Sequence, residues 1–197
     1  MEKGAAHKYS KIAKFYDMLE WPVEVLAFKK PRKEAVFYAY GHVLEVGIGT
    51  GKNLPYYKKN IDLTGIDFSS GMLQIAEKKK TQMGFNSLQL YEMDVQNLKF
   101  KENTFDTIVS TFVFCTVPDP IAGLKEVYRV LKPQGKVIFL EHMKSKYFLL
   151  NIMLYVMNIF SKNLLGTSMI RETQKNMAQF ALSVDRSIRP ALIANTL

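Results

Sequence analysis

The stretch HVLEVGIGTG, residues 42–51, runs from a short apolar segment straight into three alternating glycines. It reads as a buried strand entering a glycine turn. Working outward, IDLTGID (61–67) is a second strand ending in an acid, and SSGMLQIAEKKK (69–80) is a helix opened by capping serines. That helix places Met72, Leu73, Ile75 and Ala76 on one side. LQLYEMD (88–94) alternates as a third strand, and FDTIVSTFVF (105–114) is a continuous β-branched and aromatic run. PIAGLKEVYRVL (120–131) keeps helical spacing, and Pro133-Gln134-Gly135 predicts a turn before a strand over KVIFLE (136–141). Strands alternating with helices imply βαβ units with right-handed crossovers. The expected fold class is α/β: a doubly wound, mainly parallel sheet with helices on both faces, a Rossmann-like architecture.

In such sheets ligands bind beyond the carboxyl ends of the strands. Here those ends carry GIGTG, Asp67, Asp94 and the segment from Thr111. Gly47, Gly49 and Gly51 spell G-x-G-x-G, with a strand before them and a helix expected over Lys52–Tyr57 after them. Asp67 is placed to accept hydrogen bonds from both hydroxyls of a ribose. A dinucleotide fingerprint wants its third glycine where Lys52 stands, and no Ser or Thr follows a Gly-Lys in the frame of a phosphate-binding loop. A cofactor with an adenosine but no pyrophosphate fits these residues, and S-adenosylmethionine meets that description.

At this point the chain resembles the class I S-adenosylmethionine-dependent methyltransferases over roughly residues 8–145. VLEVGIGTGKN (43–53) looks like the family's glycine motif, LTGIDFSSGML (63–73) like its ribose motif and YEMDVQNLKF (91–100) like its adenine motif. FDTIVSTFVFCTVPDP (105–120) and LKEVYRVLKPQGKVIFLEH (124–142) resemble the fourth and fifth strands with their flanks. The resemblance implies that Glu45, Gly47, Gly49 and Gly51 surround the methionine part of the cofactor. Asp67 would bind the ribose, Met72 would pack near the adenine, and Asp94 with Val95 would hold the adenine. Thr111 joins this cofactor-binding set. Structural readings stand beside these roles: Gly51 as a helix start, Met72 as core packing, and Asp94 as a cap on the turn that follows it. Few structural reasons present themselves for Asp67.

Methyl transfer from a sulfonium asks a protein mainly to align donor and acceptor and to exclude water. A base is needed only where the acceptor arrives protonated. Catalytic residues are therefore faint in such a sequence. Tyr9 and Tyr16 near the N-terminus and His142 after the fifth strand are the candidates for substrate binding or base, with Thr111, Cys115 and Thr116 on the same rim. Cys115 reads better as a buried apolar residue than as a nucleophile.

YSKIAKFYD (9–17) resembles the N-terminal arm of the ubiquinone/menaquinone-type and phospholipid methyltransferases. FCTVPDP (114–120), EHMKS (141–145) and GTSMIRET (166–173) look most like the phosphatidylethanolamine N-methyltransferase branch and its thiol-methylating relatives. The chain is expected to be one methyltransferase domain over 1–197, with an N-terminal helical arm (1–38) and a helical insert or lid (146–178). YFLLNIMLYVMNIF (147–160) spans only ~21 Å as a helix against a hydrocarbon core of ~30 Å, too short to cross a bilayer. It reads as a lid over an apolar acceptor, a helix lying at a membrane surface, or a helix buried against the sheet. The segment 178–197 is short and interrupted by Arg189-Pro190, so the closing strands usual in this family are expected to be abbreviated.

The 197 residues carry 27 Lys+Arg against 18 Asp+Glu, a net charge of +9, and one cysteine. A single cysteine rules out an intramolecular disulfide, and three scattered histidines make a Cys/His zinc site implausible, so no metal is expected. No apolar leader follows Met1, which points to the cytoplasm. Lys78, Lys79 and Lys80 close a helix, where they complement its dipole. Lysines mixed with Tyr9, Ile12, Phe15, Tyr16, Leu19 and Trp21, and the cluster Lys29, Lys30, Arg32 and Lys33, form the pattern of a segment that meets anionic lipid. The expected partners are a lipid or other apolar acceptor and an anionic membrane surface, with peripheral attachment. Nucleic acid is not expected, because no RNA-binding module or base-methylation motif accompanies the charge. The leading acceptor is the amine of a phosphatidylethanolamine-type phospholipid. A quinone precursor or a small thiol is the alternative; RNA methylation and a non-enzymatic cofactor sensor stand further off.

Overall fold

The computed structural model describes Trp21 and residues 24–141. Five strands, β1 (His42–Val46), β2 (Asp62–Asp67), β3 (Leu88–Glu92), β4 (Phe105–Thr111) and β5 (Leu131–Leu140), form one sheet in the order β3-β2-β1-β4-β5. Every neighbouring pair is parallel. The order reverses between β1 and β4, and at that point the loops leaving the two strands part and open a crevice.

Both faces are apolar because the strands are covered on both sides. Along β5, Val137 and Phe139 enter one core while Ile138 and Leu140 enter the other; Leu44 and Val43, and Ile108 and Val109, divide in the same way. Helix α3 (Pro120–Val130) covers the first face through Leu124, Val127 and Val130. Helix α1 (Lys29–Phe37) brings Ala35 and Val36 to the second face, which Leu73 and Met83 of α2 (Ser70–Met83) also line. A wide helical turn of π type, Glu24–Phe28, leads into α1.

Several boundaries differ from the sequence reading. Helix α2 runs past Lys80 to Met83 and stops only at Gly84, whose left-handed φ of 62° forms the cap. The expected helix over 52–57 is one 3-10 turn, Leu54–Tyr56, cut short where Tyr57 turns extended and buries its ring. Strand β4 ends at Thr111 because Phe112 takes a φ of 61°. Strand β5 begins before the expected turn: Phe105 pairs with Leu131 and Thr107 with Lys136, so Pro133-Gln134-Gly135 is a bulge inside the strand. The doubly wound class itself is as read.

Candidate functional site

All three loop glycines have positive φ, at 65°, 57° and 76° for Gly47, Gly49 and Gly51, but the space around them differs. A Cβ on Gly47 would lie 2.4 Å from Val113, and one on Gly51 would lie 2.7 Å from Leu54 and 3.6 Å from the backbone of Ala76. These two glycines allow the loop to pack against protein. Among the described residues, a Cβ on Gly49 would find only the Gly47 carbonyl oxygen, 4.0 Å away. Gly49 therefore faces open space at the mouth of the crevice, and its missing side chain leaves a cradle there.

Asp67, 7% exposed at the end of β2, holds this loop. Its Oδ2 accepts from the Gly49 N–H (2.9 Å) and its Oδ1 from the Ser69 N–H (2.8 Å). The sequence offered few structural reasons for this acid, and the structure supplies one. A carboxylate has roughly four acceptor sites, so the loop engages part of its capacity and ribose hydroxyls would use the rest. Burial pushes the Asp67 carboxyl up to about 6, against the opposing pull of the Ser69 and Gly49 N–H groups.

Met72 is buried in the first turn of α2, where Ser69 Oγ accepts from its N–H at 3.3 Å. Asp94 does cap a turn: it accepts from the Gln96 backbone N–H at 3.0 Å, and both its oxygens accept from Gln96 Nε2 (3.0 and 2.9 Å). Gln96 Oε1 in turn accepts from the Asp119 N–H (2.9 Å), which ties the loop after β3 to the start of α3. Val95 is buried in the core beside Phe114 and Gly123. These residues lie at the same rim as the glycine loop because β3 and β1 flank β2 in parallel.

The densest polar cluster lies at the switch point. Glu45, buried within β1, accepts through Oε1 from Asn53 Nδ2 (2.9 Å). Asn53 Nδ2 also donates to Thr111 Oγ1 (3.0 Å), while its Oδ1 accepts from Arg32 Nη1 (3.2 Å). Arg32 Nη1 donates to Thr111 Oγ1 as well (2.8 Å), its Nε meets Glu24 (3.0 Å), and the guanidinium lies 4.8 Å over the Phe112 ring. Arg32 is only 6% exposed. This corrects the sequence reading, which set Arg32 among the lipid-facing basic residues. Lys29, Lys30 and Lys33 do lie exposed on the outer side of α1.

Glu45 Oε2 and the buried Tyr57 hydroxyl have no well-formed hydrogen bond, although they face each other. Burial pushes the Glu45 carboxyl up to about 7, against the lowering pull of Asn53 and Arg32. Glu141, just past β5, anchors the loop after β4: its Oε1 accepts from the Val113 and Phe114 N–H groups (3.1 and 2.9 Å), and burial pushes it to about 7 as well. Cys115 is buried in this loop, its thiol 3.7 Å from the Phe112 carbonyl. Sequence reasoning missed Asn53, Tyr57, Arg32, Phe112, Gln96 and Glu141. Their positions inside quoted stretches were the usable signals for Asn53 in the glycine motif, Gln96 in the adenine motif and Glu141 at the end of the fifth strand.

These buried acids have a consequence for stability. Glu45, Asp67 and Glu141 all have folded pKa values raised above their unfolded ones. Their contribution is greatest below the unfolded values and is lost as pH rises through about 6 to 7, where each ionises inside the protein. The unliganded protein is therefore expected to melt at a lower temperature at about pH 8 than at about pH 5.5. A melting temperature that climbs across that window would contradict the protonated state of these groups.

The residues fit S-adenosylmethionine. Gly49 would leave room for the methionine part, Glu45 Oε2 has only the facing Tyr57 hydroxyl beside it, and Asp67 would keep acceptor capacity for a ribose. Tyr9, Tyr16 and His142 lie outside the described residues, as do the insert at 146–178 and the segment 178–197.

Residues 44–139 match a methyltransferase domain family. A phosphatidylethanolamine N-methyltransferase of Cereibacter sphaeroides is 38% identical over 130 residues, covering 62% of this chain and 64% of that protein. A demethylmenaquinone methyltransferase of Oceanobacillus iheyensis is 32% identical over 148 residues, covering 71% of this chain and 62% of that protein. The chain thus spans less than two thirds of the length of these relatives. A SAM-dependent methyltransferase from Thermotoga maritima shares the fold, with a TM-score of 0.68 at 22% identity over 90% of this chain and 79% of its own. With the strand order, the glycine cradle and the acid at the end of β2, these matches show that the chain belongs to the class I S-adenosylmethionine-dependent methyltransferases.

Proposed function

We propose that the protein transfers a methyl group from S-adenosylmethionine to the head-group amine of a phosphatidylethanolamine-type phospholipid, working as a peripheral protein at the cytoplasmic membrane surface. The single observation that carries the methyl-transfer reading is the cradle at Gly49, open where its two neighbouring glycines are filled by protein. When bound, the cofactor supplies an electrophilic methyl on a sulfonium that departs as a neutral thioether. Gly49 would leave the space, Asp67 would hold the ribose, and Glu45 with Asn53 would hold the methionine part. No residue has to act as a nucleophile. An amine acceptor must reach the crevice unprotonated.

The lipid acceptor is supported by the 38% identity to the Cereibacter protein, named for phosphatidylethanolamine. A quinone acceptor is supported by relatives such as the Oceanobacillus protein, named for demethylmenaquinone. Both are apolar molecules held in a bilayer. The direct test offers labelled S-adenosylmethionine with vesicles containing phosphatidylethanolamine, with demethylmenaquinol in neutral vesicles, or with a soluble thiol. Label entering the phospholipid is the expected result. Label entering the quinol or the thiol alone would overturn the lipid assignment and keep the methyltransferase one.

Surface attachment has its own expected outcome. Lys29, Lys30 and Lys33, with Trp21 and Val25 exposed nearby, offer charge and apolar surface together. Each cation near an anionic surface contributes about 1 kcal/mol. Cosedimentation is expected with phosphatidylglycerol vesicles, more weakly with neutral ones, and with partial loss in high salt. Replacing these three lysines with glutamine should abolish the salt-sensitive part. Equal recovery of the triple variant at low salt would move the contact elsewhere.

A further inference from the structure

Helix α1 turns three lysines outward and one arginine inward, and the inward one reaches the cofactor crevice. Arg32 Nη1 donates to Asn53 Oδ1 (3.2 Å) and Thr111 Oγ1 (2.8 Å), while Nε is engaged by Glu24 and the guanidinium carbon lies 4.8 Å over the Phe112 ring. Asn53 follows the glycine loop, and Thr111 and Phe112 leave β4, so Arg32 touches both loops that part at the switch point. Phe112 itself holds a φ of 61°. That conformation is strained for an aromatic residue and persists only where its surroundings fix it. Phe28 packs on its ring at 4.5 Å, and Arg32 covers it.

We propose that Arg32 is a positioning residue for the cofactor site, fixing Asn53 so that Asn53 presents Glu45, and clamping Thr111 and Phe112 so that the crevice keeps its shape. This rests on the reading of the crevice as the S-adenosylmethionine site. The argument is one of geometry. Asn53 has a single amide to orient, and its flipped form would set its NH2 against the Arg32 guanidinium and its carbonyl against the Glu45 carboxylate. Arg32 therefore selects the orientation in which the amide donates to Glu45. A lysine at this position could not repeat the arrangement. Its ammonium is a point donor that lacks the planar fork needed to reach Glu24, Asn53 and Thr111 at once while lying over a ring. The helix that carries the outward lysines is by this contact part of the cofactor site.

The test is calorimetric titration of the full chain with S-adenosylhomocysteine across a range of pH, for the wild type, Arg32→Met, Arg32→Lys and Val36→Ala. The charged and titratable groups facing Glu45 are Arg32 from α1, Tyr57 after the 3-10 turn and Asp67 from β2. Removing the Arg32 charge raises the pH at which Glu45 ionises, so the acid limb of the affinity profile in Arg32→Met should move to higher pH than in the wild type. At neutral pH the affinity should fall roughly tenfold or more, the scale of a lost hydrogen bond to a charged group. Arg32→Lys should restore part of the pH profile but not the full affinity. Val36→Ala, a core truncation on the same helix, should lower the melting temperature and leave affinity and profile as in the wild type. Unchanged affinity and profile in Arg32→Met would overturn the proposal, and so would an equal affinity loss in Val36→Ala. If Arg32→Met does not fold, the Arg32→Lys titration decides: wild-type affinity there removes the positioning role. A wild type that fails to bind S-adenosylhomocysteine would instead overturn the cofactor reading, and the proposal with it.

Discussion

Gly49→Val is expected to leave the protein folded and to remove S-adenosylmethionine binding. The backbone term is modest: a residue with a Cβ in the left-handed region costs about 1–2 kcal/mol, more when β-branched, against a typical domain stability of about 5–15 kcal/mol. The steric term against the described residues is small, because a Cβ at Gly49 lies 4.0 Å from the nearest of their atoms that it would meet. The whole volume of the isopropyl group then occupies the cradle at the crevice mouth. Gly47 and Gly51 make the contrast. Their added Cβ atoms would lie 2.4 Å from Val113 and 2.7 Å from Leu54, so substitution there should lower the melting temperature first and affinity only as a consequence. Circular dichroism with calorimetric titration of the three variants separates these outcomes. A folded Gly49→Val that binds with wild-type affinity would place the cofactor elsewhere.

Asn53→Leu should be among the most damaging single changes in the chain. Asn53 is 1% exposed and joins Glu45, Thr111 and Arg32. Leucine keeps the branched outline but is bulkier, and it leaves a buried carboxyl and a buried guanidinium each missing a partner. Leaving each of these buried groups without that partner costs about 1–3 kcal/mol. For a chain of this size each kcal/mol lowers the melting temperature by roughly 2–4 °C, so a fall of about 10 °C is expected. The loss should be larger at high pH. The Asn53 hydrogen bond lowers the Glu45 pKa, so without it the ionised carboxylate is still less favoured in the folded state. Melting curves at two pH values check this. A change under about 2 °C at both would mean that Asn53 is not the hub of the network.

Asp67→Ala has a smaller but separable effect. It removes acceptors for the Gly49 and Ser69 N–H groups as well as for the ribose. Hydrogen bonds to a charged acceptor contribute about 1.5–3 kcal/mol, so affinity should drop about 10- to 150-fold. Equal calorimetric affinity in the two proteins would take Asp67 out of the site.

The amino-acid sequence by itself determined the class of fold, the alternation of strand and helix, and the strand ends at which a ligand would sit. Those features are written in local patterns: apolar runs of strand length in β1 and β4, helical spacing in α3, and glycines and an acid placed at strand ends. Boundaries were legible where a local signal marked the element, as the capping Ser69 does at the start of α2. They were misread where packing ended it, as at Tyr57 and Phe112. Tertiary structure alone decided what each polar group of the site is bonded to. Arg32 and Thr111 stand 79 positions apart, and nothing in either neighbourhood signals their hydrogen bond. A basic residue among three lysines carries the same local pattern whether it faces lipid or core. Only the docking of α1 against β4, β5 and the 3-10 turn removes Arg32 from water, and a buried guanidinium must then find acceptors within reach. The same reason explains Asp67: its position at a strand end was visible in sequence, but its grip on the Gly49 N–H exists only once β2 lies beside β1.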